Sequence, residues 1–147
     1  KIRRISARKK SESFMGSDMS YEDMTSRNLN EYTYSITGSE KINGKDCYIL
    51  ESKPEGIKSE YSRHNSWITK EDFLTLKEES FDINGELLKI KSIAYKKIKN
   101  YNIMHELFVK NIKRNHQTLL KFDSIEVDSG IKDNIFHEKN LKRMPKR

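Results

Sequence analysis

Four histidines, one cysteine and two close-set groups of carboxylates are the residues of this chain best suited to bind a metal, activate a nucleophile or move a proton. His64, His105, His116 and His137 stand far apart, and neither H-x-x-x-H nor C-x-x-C occurs, so zinc-ligand spacing is missing. Cys47 has no second cysteine to pair with, and inside an apolar strand pattern it reads as a buried, unreactive thiol. Glu78 and Glu79 are neighbours, which on a strand sends them to opposite faces and spoils them as a carboxylate pair. Asp18, Glu22 and Asp23 gather where a helix would start, and a helix N-terminus favours negative charge. Met15-Gly16-Ser17-Asp18 lacks the nucleophile-elbow pattern, and no glycine-rich phosphate loop is present. The chain is therefore read as non-enzymatic, with no metal or cofactor.

Charge narrows the partners. The 147 residues carry a formal net charge of +7. Six cations lie in residues 1–10 and five in the last nine, while residues 11–138 hold eighteen cations against all twenty-two acids. Basic and aromatic residues interleave in Tyr95-Lys96-Lys97-Ile98-Lys99-Asn100-Tyr101, a pattern that an RNA-binding sheet would use for stacking. A body of net negative charge argues against a nucleic-acid groove, and no nucleic-acid partner is expected. No apolar run of 18 residues occurs, so no membrane-spanning helix is expected.

The elements that must position these residues are strands. Period-two alternation recurs between turn residues. Lys1–Ser6 reads as a short strand, and Ser20-Tyr21-Glu22-Asp23 as a capping box opening a helix of at most two turns, to about Arg27. Strands follow at Tyr32–Ile42, Asp46–Lys53, Ser62–Thr69, Leu74–Asp82, Glu86–Lys97, Asn102–Lys113 and His116–Val127. Asn43-Gly44 and Asn84-Gly85 mark hairpins, and Asp133–Phe136 reads as a single helical turn. Several strands are apolar on both faces, as Leu87, Ile93 and Tyr95 are against Leu88, Ile90 and Ala94. That suits a sheet wrapped round something, or a sandwich or barrel core filled by its own side chains.

One segment is specific enough to indicate a family. Lys1–Ser6 followed by Ser13-Phe14-Met15-Gly16-Ser17-Asp18-Met19-Ser20-Tyr21-Glu22-Asp23-Met24 resembles the signature of outer-membrane lipoprotein-sorting proteins, periplasmic relatives of the LolA and LolB carriers. The order downstream is similar too: Asn43–Ser52, Ser66-Trp67-Ile68, Leu76–Glu79 and Lys132–Arg143. The resemblance implies a mainly β fold, a curved antiparallel meander forming an open half β-barrel with one or two short helices. It implies a single domain over 1–147, truncated at its N-terminus relative to the family, whose signal peptide and first elements are missing. The chain accordingly reads as the later part of a longer precursor.

The implied function is carriage of lipid or lipoprotein acyl chains in the periplasm, beside an inner-membrane exporter of the resistance-nodulation-division type. The alternative is an interaction module that binds no lipid and docks on such an exporter. An acyl trough needs apolar lining, since each buried CH₂ gains about 0.8 kcal/mol. The expected lining is Trp67, Leu76, Leu88, Ile90, Leu107, Val109, Leu120 and Phe122, taken as members of one face. The expected partner-contacting motif is the loop Phe14, Met15, Gly16, Ser17, Asp18, Tyr21, Glu22 and Asp23. An exposed sheet edge would invite pairing with a second copy as a homodimer.

Overall fold

The computed structural model describes residues 9–142. The expected strand at Lys1–Ser6 lies outside them. Seven strands form one antiparallel sheet in sequence order: β1 (Tyr32–Ile42), β2 (Lys45–Pro54), β3 (Tyr61–Thr69), β4 (Thr75–Asp82), β5 (Leu87–Ile98), β6 (Tyr101–Asn111) and β7 (His116–Lys121). The sheet is open, with β1 and β7 as its edges, and it is the expected curved meander.

Turn chemistry sets the register. Asn43 and Gly44 both take positive φ, 51° and 81°, so they close a two-residue turn whose twist matches the flanking strands. Asn84-Gly85 closes differently. The Asp82 carboxylate accepts from the amides of Asn84 and Glu86 at 2.9 and 3.0 Å, and only Gly85 has positive φ. Bulges at Ile36/Gly38, Trp67/Ile68, Ser80/Phe81 and Ala94/Tyr95 add twist and curl the sheet.

The sequence placed the strands within about two residues, with one exception. The last strand ends at Lys121, not Val127. Its pairing with β6 runs from Asn111 to Glu106, and one further bond joins the Phe122 amide to the His105 carbonyl at 3.0 Å. Asp133–Phe136 forms the expected single turn, of 3-10 type, and a second follows at Glu138–Lys142.

The expected helix after Ser20 is replaced by one turn. The capping box itself forms: the Ser20 amide donates to Asp23 at 2.8 Å and the Asp23 amide to the Ser20 hydroxyl at 3.3 Å. Thr25 then donates its hydroxyl to the Glu22 carbonyl at 2.9 Å, the local competition that weakens Ser and Thr as helix formers. Asp23 meanwhile is drawn to the sheet. Residues 13–31 therefore form an irregular strap across one sheet face, ending in a 3-10 turn at Leu29–Glu31.

Candidate functional site

Alternation assigns each strand residue to one of two faces, and the strap marks which is covered. On β5, Lys89 and Lys91 reach the strap, so Leu88 and Ile90 point the other way. The covered face is polar beneath the strap. Ser52, His64, Ser66, Glu78, Ser80, Lys89, Lys91 and Asn111 are all buried there.

Three strap residues bind this floor. Asp18 accepts from the Thr118 hydroxyl at 2.7 Å, pairs with His116 Nδ1 at 2.8 Å, and donates its amide to Thr118 at 3.0 Å. Asp23 takes Lys89 Nζ at 2.8 Å, Lys91 Nζ at 2.6 Å and the Tyr61 hydroxyl at 2.9 Å. Arg27 grips Glu78 with both terminal nitrogens, at 2.7 and 2.8 Å. Lys91 also reaches Glu78 at 3.0 Å, Ser66 donates to it at 3.1 Å, and Glu60 lies 3.6 Å from Lys89. Three cations thus face three carboxylates, which offsets much of the cost of burying them. Glu22 adds a tie outside the cluster, accepting from the Ser59 hydroxyl and the Glu60 amide at 2.5 and 3.1 Å.

The cluster fixes its own protonation. Burial would raise the Asp23 carboxyl, but Lys91 and Lys89 outweigh it and hold the group well below the usual carboxylate range. Glu78 behaves alike: burial opposes, Lys91 and Arg27 win, and it stays ionised. Burial alone would lower Lys91, yet Glu78 and Asp23 raise it. His64 is fully buried. Burial first and Arg27 second pull it down to about 3, so it is neutral at physiological pH. Its Nδ1 lies 2.9 Å from the Ser80 hydroxyl and 3.3 Å from Arg27, while Nε2 is buried with no hydrogen-bond partner among the described residues.

One row further along the strands, away from the strap, the same face turns apolar. Tyr48 stands opposite Ile68. Ile93 stands opposite Leu107, and Leu107 opposite Leu120. On β4, Thr75 stands opposite Ile68, and Leu76, the extra residue of the bulge there, lies between Ile68 and Ile93 in strand order. These six residues form a half-buried apolar row across β2 to β7. Five inter-strand spacings make it about 24 Å long.

The eight expected lining residues divide. Leu76, Leu107 and Leu120 share this row, and fully buried Val109 lies in the next row, opposite Lys91. Trp67, Leu88 and Ile90 occupy the other face, where Trp67 donates to Glu40 at 2.6 Å and Lys77 lies 4.1 Å over its ring. Phe122 follows β7 and is half-exposed. The set is thus not one face, because period two separates the faces without telling which is covered.

The loop motif is mostly turned inward. Phe14 packs edge-on against Tyr21 with centroids 5.6 Å apart, Ser17 donates to the Phe14 carbonyl at 2.6 Å, and Asp18, Glu22 and Asp23 are committed as above. Only Met15 and Gly16, both at positive φ, stand at an exposed tip. Glu78 and Glu79 do take opposite faces, Glu79 meeting Lys77 at 2.7 Å. Cys47 is fully buried. Sequence reasoning missed Arg27, Tyr61, His64, Lys89 and Lys91. The available signal was an in-register polar stripe, Ser52–His64–Ser80–Lys89, which reads as a solvated face until something covers it.

An open, curved antiparallel sheet, one face part-covered by a strap and part apolar, defines a half-barrel fold. Residues 1–143 match a family model described only as an uncharacterized protein, and the chain belongs to that family. Its fold is that of a domain from Vibrio parahaemolyticus provisionally described as an outer membrane lipoprotein-sorting protein. The two share 34% identity with a TM-score of 0.91, over 97% of this chain and 62% of that one. A DUF1329 family protein from Desulfovibrio piger matches at 33% identity and TM-score 0.86, over 95% and 59%. A LolA superfamily protein from Nitrosomonas europaea shares the fold at 19% identity and TM-score 0.70, over 88% and 60%. The chain thus spans about three-fifths of the length of these structures. No curated protein matches it.

Proposed function

We propose that this chain acts as a non-enzymatic periplasmic carrier of lipid or lipoprotein acyl chains, and that it holds them along the row Tyr48–Ile68–Leu76–Ile93–Leu107–Leu120. The observation that carries the reading is this row: six half-buried apolar or aromatic side chains in line on one face, beside a polar floor that the strap closes. A chain lying there gains about 0.8 kcal/mol for each CH₂ removed from water. The ion cluster beside the row offers such a chain nothing, so it bounds the trough. The likeness to a lipoprotein-sorting domain at 34% identity points the same way.

The test is uptake of a fluorescent fatty acid by delipidated protein. Leu107→Asn should weaken uptake at least tenfold, while Ile90→Asn, on the opposite face, should leave it near wild type. No uptake by the wild-type chain, or equal loss in both variants, would sink the assignment of this row.

A further inference from the structure

The hairpin of β5 and β6 runs past its neighbour. The β4–β5 ladder stops at Lys77–Ser92, whereas β5 continues to Ile98 and pairs with β6 as far as Tyr101. Residues 94–104 hold three lysines and no acid. Lys99 pairs with Asp128 at 3.2 Å, while Lys96 and Lys97 have no ion-pair partner among the described residues. Tyr101 is 48% exposed. At the same end of the sheet, the β3–β4 turn presents Phe73, 71% exposed and at φ 53°, a conformation that bulky residues avoid. The turn is built to hold it so. The Thr69 hydroxyl donates to Asp72 and accepts the Leu74 amide at 2.8 Å, and the Phe73 amide meets the Thr69 carbonyl at 3.1 Å.

We propose that this end of the sheet, with Phe73, Tyr101, Lys96 and Lys97 at its tip, docks the protein on an anionic phospholipid surface. The inference rests on the carrier reading and names the surface from which the acyl chain would enter. Exposed aromatics seat at the headgroup level, and each lysine near an anionic surface strengthens binding about fivefold. The apolar row lies in the half of the covered face nearest this end, so a chain drawn from a bilayer meets it without crossing the ion cluster. A nucleic acid is the poorer fit, because two lysines without ion-pair partners among the described residues neutralise few phosphates.

The experiment is co-sedimentation of the full chain with vesicles of phosphatidylglycerol and phosphatidylcholine in equal parts, against phosphatidylcholine alone. Wild type should sediment with the anionic vesicles only, and the double variant Lys96→Glu, Lys97→Glu should bind at least tenfold more weakly. Phe73→Gly should bind at least fivefold more weakly with an undiminished Tm, since glycine suits that φ. Equal binding to both vesicles, no binding, variants that bind as wild type, or binding of an RNA oligonucleotide instead would overturn the proposal. Fatty-acid uptake by the same variants should match wild type. Loss of the carrier reading would therefore show in uptake, and loss of the docking reading in sedimentation.

Discussion

Around Glu78 the covered face is sealed by charge; one row away, around Leu107, it is apolar and half-open. Both rows belong to the same strands and the same face, so neither β-propensity nor alternation distinguishes them. What differs is the cover. The strap brings one carboxylate at Asp23 and one guanidinium at Arg27 to a floor holding the opposite charges, and every bond is directional. Such a contact fixes the strap in one position, but contributes less net stability than an apolar contact of the same size. The apolar row has the reverse character. It sets no unique partner geometry and gains energy from any greasy surface laid on it.

The contrast is most sharply broken by removing one charge. Glu78→Ala leaves buried Lys91 and half-buried Arg27 without their shared partner and should cost about 3–5 kcal/mol, measured by urea unfolding. Leu107→Ala, in the half-open row, should cost less, about 1–2 kcal/mol. Leu119→Ser on the opposite face, where the side chain is 50% exposed, should stay within about 0.5 kcal/mol. Equal losses at Glu78 and Leu107 would erase the distinction between the rows.

Acid acts on the charged row and leaves the apolar one untouched. His64 titrates near 6.5 when unfolded and near 3 when folded, beside Arg27, Glu78, Lys91, Asp23, Tyr61 and Ser80. Its lowered value means that the unfolded chain binds the extra proton. The His64 contribution is therefore complete above pH 6.5 and is lost as pH falls towards 3, by up to about 1.4 kcal/mol per pH unit. Asp23 and Glu78, also lowered, extend the loss once pH falls below the ordinary carboxylate range near 4. His64→Gln should flatten the limb between pH 6.5 and 4 while leaving the carboxylate limb. Urea midpoints across that range check it, and an unchanged slope would show that His64 is not the titrating group.

Much of the fold was legible in the chain because its signals are local. Period-two alternation and the turn residues Asn43-Gly44 and Asn84-Gly85 located the strands, and the adjacency of Glu78 and Glu79 excluded a dyad. Where local signals competed with distant ones they failed. Ser20–Asp23 carries a helix start, yet Asp23 answers to Lys89 and Lys91, 66 and 68 residues away. His116–Val127 alternates well enough for a long strand, but β6 accompanies it in the ladder only to Lys121.

Seven strands in meander order and a buried Cys47 follow from the chain's local pattern, since pleat, turn and apolar alternation are properties of neighbouring residues, whereas the openness of the sheet was implied by the family resemblance. Which face is covered depends on contacts between distant parts of the chain. The Leu87–Ile93 stretch offers Leu88 and Ile90 to one side and Lys89 and Lys91 to the other, and apolar burial alone would turn the leucine and isoleucine inward. The lysines are buried instead, because the strap carries Asp23 to them, and no pattern within a strand records a partner more than 60 residues upstream.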